Sequence, residues 1–167
     1  MTTRTDYTDD EWARLVRGPL VAGLAVSIAD PGGPIETVKE TAAAVRTTQR
    51  EGDVPLVAEI STEIRERAQR RENPLGDFRI GSAGMAGQQV LDELRAIDLI
   101  LRTKADGSEA DAYRAWILDA AQASADAAKE GGFFGIGAEQ VSAGEQEMLE
   151  RLRDALGMAS ATPPGIE

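Results

Sequence analysis

Carboxylates are the residues in this chain whose placement could do chemistry. Asp30 with Glu36 and Glu40 flanks a turn rich in glycine and proline, and Asp126 with Glu130, Glu139 and Glu145 flanks a second glycine-bearing turn. Acids just before and just after a helix–helix turn can converge on one hard cation, because Ca²⁺ and Mg²⁺ prefer carboxylate oxygens. Neither turn is an EF-hand, since the alternating Asp/Asn pattern with its closing Glu is missing. The same acids can instead cap helix N-termini, complement the helix dipole and face water. Asp98 is a separate case. Helical spacing sets it between Leu91 and Leu94 on an apolar stripe, where an unpaired carboxylate is costly. It must either pair with Arg95, Arg102 or an arginine from a neighbouring helix, or serve as an interior acid with a raised pKa.

Other chemistries are excluded by what the chain lacks. With no cysteine there is no disulfide, thiolate nucleophile or thiolate metal site. With no histidine the usual general base is absent, as is the Glu-x-x-His pair that di-metal helical bundles draw on. Gly81, Gly84 and Gly87 do not have dinucleotide-fingerprint spacing and follow no strand pattern. No phosphate-binding Gly-Lys-Ser/Thr loop and no Gly-x-Ser-x-Gly elbow occur. A net charge of −11 argues against nucleic acid and anionic membrane as partners. The start is polar and acidic, and the longest apolar run, Pro19–Ala29, is shorter than the roughly 20 residues of a membrane span. A cytoplasmic location without membrane insertion is the resulting expectation.

The elements that must position these acids read as helices throughout. Hydrophobic residues make up 42% of the chain but aromatics only 4%, so alanine and branched aliphatics must build the core. Thr8-Asp9-Asp10-Glu11 is a capping box, with Tyr7 and Trp12 at hydrophobic-staple spacing. Gly18-Pro19 predicts an interruption or kink before Leu20–Ala29. A second helix is expected over about 35–50, with Ile35, Val38, Ala42 and Val45 on one face, and a third over about 54–72, with Val57, Ile60 and Ile64 inward. The stripe Val90, Leu91, Leu94, Ile97 and Leu101, widened by Leu99 and Ile100, marks a helix over about 85–104 as central to the bundle. Tyr113, Trp116, Ile117, Ala120, Ala123 and Ala127 mark the buried face of the next. A last helix opens at the capping box Ser142-Ala143-Gly144-Glu145 and closes at Gly157, a left-handed cap. The fold class is all-α: a compact bundle of about six helices over 8–157, with a flexible lead-in (1–7) and tail (158–167).

Two features remain outside this frame. Phe133 and Phe134, in a glycine-rich loop, can form an exposed partner-binding knob or fold back to plug the bundle end. Arg65, Arg67, Arg70 and Arg71 form a basic cluster where cations complement a helix C-terminus.

Leu20–Val45 and Ile117–Leu156 share one order: Ala-rich helix, acidic glycine-bearing turn, apolar residue, helix with early acid. A diverged two-fold repeat would produce this. The second unit, with Asp126, Gly131-Gly132-Phe133-Phe134-Gly135-Ile136-Gly137 and Val141-Ser142-Ala143-Gly144-Glu145, resembles the tellurite-resistance B-like helical domains. Trp12–Glu40, with Ala29–Ile35, looks like a weaker copy. The resemblance implies an all-helical pseudo-symmetric fold associated with divalent-metal binding, and nominates Asp30, Glu36, Asp126 and Glu145 as ligands for Ca²⁺ or Mg²⁺. The second turn departs from the family pattern: it is longer, and glycine does not directly follow Asp126. The expected function is a non-enzymatic accessory or adaptor domain that binds a protein partner, with a hard-cation site at its acidic turns. The alternatives are a self-associating structural module without a ligand and, least favoured, a carboxylate-based metalloenzyme.

Overall fold

The computed structural model describes residues 2–29, 54–73, 75–81, 83–130 and 143–158. Within them a short 3-10 turn, Arg4–Asp6, precedes five helices: α1 (Asp9–Ala29), α2 (Pro55–Gln69), α3 (Ala83–Lys104), α4 (Gly107–Glu130) and α5 (Ala143–Ala155). No strand occurs among the described residues. The helix expected over 35–50 lies outside them, as do Asp30, Glu36, Glu40, Phe133, Phe134 and Ser142.

The caps expected at Thr8–Glu11 and Gly157 are formed. At the N-terminus of α1, Glu11 N–H donates to Thr8 Oγ1 at 3.2 Å and Thr8 N–H donates to Glu11 Oε2 at 2.7 Å, a reciprocal capping box. The Tyr7 and Trp12 rings pack 5.9 Å apart as its staple. Asp106 precedes α4 and accepts from Glu109 N–H and Ser108 Oγ, which holds its carboxyl well below the usual carboxylate range. At the end of α5, Gly157 is left-handed (φ +64°), with Met158 N–H bonded to Arg153 O and Gly157 N–H to Asp154 O. This is a Schellman motif. α2 ends in the same motif, but Arg71 occupies the left-handed position (φ +59°).

The central helix is α1, not α3 as the apolar stripe suggests. It packs against all four other helices, and Leu15, Val16, Leu20, Val21, Ala22, Ala25 and Val26 are essentially sealed from solvent. Contact pairs fix the directions. Leu15 and Gly18 of α1 meet Tyr113 and Ile117 of α4 in parallel order, whereas Arg17 and Glu11 meet Glu93 and Lys104 of α3 in antiparallel order. α5 starts beside the end of α1 (Gly144 against Ala29) and finishes beside Asp98 and Arg102 of α3. Small residues of α1 and α4, among them Ala22, Ala25, Ala120, Ala121 and Ala125, are buried where the two helices run together. By length and composition α1 could cross a membrane, which the short apolar run Pro19–Ala29 does not suggest. Yet 72% of that apolar window is buried inside the bundle, the pattern of a core helix.

Of the two outcomes expected at Gly18-Pro19, an interruption does not occur, since α1 runs through both residues. Proline lacks the N–H that would bond to the carbonyl four residues earlier, so Leu15 O is left without its helical donor. The buried Tyr113 hydroxyl of α4 donates to that carbonyl instead. Gly18 makes room for it: a Cβ at residue 18 would lie 2.5 Å from Tyr113 Oη and 3.1 Å from Ile97 Cδ1. A proline that would normally end a helix is thus accommodated by a hydrogen bond from the neighbouring one.

The buried faces expected on α3 and α4 are present, with departures at Leu99, Ala123 and Ala127. Leu99 is 65% exposed and does not widen the α3 stripe, while Ile100 is partly buried against the core. On α4 the buried track runs through Ala121, Ser124 and Ala125, leaving Ala123 half-buried and Ala127 exposed. An alanine-rich helix carries little polarity contrast, so its register is set by Tyr113, Trp116 and Ile117 and then follows the helical twist.

Candidate functional site

Asp98 is the interior acid that helical spacing singled out, and it is 5% exposed. Arg102, one turn on, places Nη2 2.6 Å from Asp98 Oδ2, and Arg114 of α4 approaches Oδ1 with Nη2 at 2.8 Å and Nε at 2.9 Å. Arg95 bonds Asp92 instead. The pairing comes from the same helix and a neighbour together, and each carboxylate oxygen has its own guanidinium. Gly157 closes over this pair, since a Cβ there would fall 2.3 Å from Arg102 Nη2.

A second buried pair was missed by the sequence reading. Glu93 of α3 and Arg17 of α1 are both nearly sealed, with Arg17 Nε 2.7 Å from Glu93 Oε1. Arg14 also pairs with Glu93. Arg17 continues outward, donating from Nη1 to Asp77 Oδ1 at 2.8 Å with its guanidinium 5.5 Å from the centre of the Phe78 ring. The signal was present: Glu93 lies between Val90 and Ile97 on the same apolar stripe as Asp98. Arg17 is less legible, because the run around it reads as apolar on every side.

A third buried acid, Glu109 in the first turn of α4, accepts from Thr2 N–H and from Thr2 Oγ1 at 2.8 Å. Tyr7 Oη donates to the same Thr2 oxygen at 3.1 Å, and burial raises the pKa of that phenol. Arg4 N–H donates to Glu59 Oε2 at 3.1 Å, and Lys104 Nζ donates to Asp6 O and Glu11 Oε2. These contacts pin the segment ahead of α1 to α2, α3 and α4. The Lys104 ammonium also holds the Glu11 carboxyl below its ordinary value.

Of the four nominated cation ligands, Asp126 and Glu145 are described. Asp126 is exposed near the end of α4 and accepts from Gln122 Nε2 at 3.2 Å. Glu145 is buried in the first turn of α5. Among the described residues no three acidic side chains gather in metal-binding geometry, so those two do not form a coordination shell on their own. One approach does bear on the acidic turns: a side chain at Gly144 would meet the Ala29 carbonyl at 2.8 Å. The residue before Asp30 therefore packs against the residue before Glu145.

The surface is indented between Trp12 and the outer side of α2 by a groove of about 540 Å³. Ala58 and Thr62, four residues apart, form a shallow floor, and Glu59, Glu63 and Glu66 run beside it. Arg4 covers the aromatic wall, its guanidinium 5.4 Å from the centre of the Trp12 ring. The arginines of the basic cluster turn toward these acids. Arg67 bonds Glu63 at 2.6 Å, and Arg70 bonds Glu72 at 2.7 Å and reaches Glu66 at 3.5 Å.

No protein-family model, curated protein or solved structure matches this chain.

Proposed function

We propose that this domain is a non-catalytic accessory module that works by docking to a protein partner. The observation that carries this reading is the state of three of the four acids buried among the described residues. Glu93 ties α3 to α1, Asp98 ties α3 to α4, and Glu109 ties the N-terminal segment to α4, each through arginine or threonine donors. A general acid or base must reach a substrate proton, and among the described residues Glu93 and Asp98 are held by arginines and Glu109 by Thr2. That makes the carboxylate-enzyme reading the weakest. Among the described residues self-association also has less behind it, because Met85 and Leu99, their large exposed apolar side chains, lie four turns apart on α3 with Gln88, Asp92 and Arg95 between them. Isolated apolar side chains on a surface need no partner.

The test is site-specific photo-crosslinking in cells, with the reactive group placed at Thr62 in the groove and at Leu99 on the opposite kind of surface. A docking module yields a discrete product of defined mass from at least one position. Only diffuse or absent products from a panel covering every helix would overturn the reading.

A hard cation at the acidic turns is a second reading, favoured by the packing of Ala29 against Gly144 beside buried Glu145. Thermal unfolding in EDTA, then in Ca²⁺, Mg²⁺ or Mn²⁺ at matched ionic strength, tests it. A cation at 100 times its dissociation constant adds about 2.7 kcal/mol. A shift selective for one ion and lost in Asp126→Ala or Asp30→Ala supports the site; equal behaviour with all three ions removes it.

A further inference from the structure

We propose that the groove between Trp12 and α2 receives an arginine-bearing, cationic segment of the partner, and that Arg4 is the groove's own resident guanidinium. This deepens the docking reading and rests on it. The wall already displays the chemistry required: Arg4 stacks on Trp12 at 5.4 Å, a geometry in which the ring face attracts a planar cation. Beside it, Glu59, Glu63 and Glu66 recur at intervals of four and three residues, which aligns them on one side of α2. The floor is low because Ala58 and Thr62 are small, and the Thr62 hydroxyl turns back to bond Ala58 O at 2.9 Å.

Two of the contacts now filling the groove are of an exchangeable kind, while the Arg67–Glu63 pair that also lines it, 2.6 Å long with side chains 20% and 27% exposed, stays in place. Arg4 is anchored to Tyr7 O and to Asp9, whose side chain is almost wholly in water. The Glu66–Arg70 pair is half-exposed on both sides. Ion pairs this exposed contribute little net stability, so an incoming guanidinium can replace them at small cost. The chain's net charge of −11 adds attraction for a cationic partner at long range.

The experiment uses the full chain carrying Trp116→Phe, so that Trp12 is the sole tryptophan. Its emission is followed while acetyl-(Gly-Arg-Gly)₃-amide is added, with lysine and citrulline counterparts at equal ionic strength. The proposal expects a saturable response to the arginine peptide, a weaker one to lysine and none to citrulline. Glu63→Gln with Glu66→Gln should lower the affinity. Arg4→Gln and Asp9→Asn, which remove or loosen the resident group, should raise it roughly two- to fivefold, the size of one exposed cation–π contact. The melting midpoint of each variant verifies that it is folded. Equal binding of arginine and lysine peptides, indifferent to Arg4 and to the glutamates, would reduce the effect to bulk charge and overturn the proposal. So would the absence of saturation. If the groove fails while crosslinks form from Leu99, the docking reading stands and the groove assignment alone falls.

Discussion

The hydrogen bond from Tyr113 to Leu15 O predicts an unusual double-mutant result. Tyr113→Phe removes the hydroxyl that donates to a carbonyl Pro19 cannot serve, inside a fully buried contact. Leaving a buried acceptor unsatisfied costs about 1–3 kcal/mol. For a domain of this size that lowers the melting midpoint by about 2–4 °C per kcal/mol. Pro19→Ala restores an N–H aimed along α1 at Leu15 O, so it should rescue the Tyr113→Phe background by more than it helps the parent chain. The two changes are therefore non-additive, with a coupling of about 1–2 kcal/mol in equilibrium urea unfolding. Gly18→Ala belongs to the same cluster. Its Cβ would stand 2.5 Å from Tyr113 Oη, so it should destabilise the parent despite the better helix propensity of alanine, and less so once that hydroxyl is gone. Additive behaviour of Tyr113→Phe and Pro19→Ala would refute the claim that α4 supplies the bond α1 lacks.

Three further outcomes follow from the remaining contacts. Arg71→Gly should stabilise by about 1 kcal/mol in urea unfolding, because a left-handed non-glycine residue carries that penalty, while Gly157→Ala should destabilise by at least as much and disturb Arg102. Glu93→Gln should cost about 3–5 kcal/mol by leaving buried Arg17 with the solvent-exposed Asp77 as its remaining ion-pair partner, whereas Arg17→Met with Glu93→Leu should be near neutral or stabilising in the same assay. The melting midpoint should fall as pH drops below about 4.5, because Glu11 and Glu72 are held below that ordinary value by Lys104 and Arg70, so their contribution is complete above it and lost as they protonate. Lys104→Met should flatten this acid limb. On the alkaline side burial raises the Tyr113 pKa, so stability should decline as pH rises past 10, the ordinary value at which the unfolded chain ionises, and Tyr113→Phe should remove part of that decline.

The all-helical class was legible because periodicity and caps agree at Thr8–Glu11, along Val90–Leu101 and at Gly157. Asp98 was legible for the same reason: a charge on an apolar stripe has to find partners. What escaped the sequence was chiefly long-range. Nothing local to Gly18-Pro19 says that a tyrosine about a hundred residues away will supply the missing donor, and so the sequence allows an interrupted α1 where the structure has one continuous helix. Arg17 sits in an apolar run and discloses its depth only once Glu93 is packed against it. The clasp formed by Thr2, Arg4 and Tyr7 has no periodic pattern, and the groove arises from the crossing of two helices that are far apart in the chain.

The most direct test of the account is photo-crosslinking in cells with the folded Arg17→Met, Glu93→Leu variant carrying the reactive group at Thr62. If the interior charges only hold the bundle together, this variant yields the same crosslinked product as the parent chain. A variant that folds, melts at or above the parent's temperature and still loses the product would show that the buried pair takes part in the function itself, and would contradict the account.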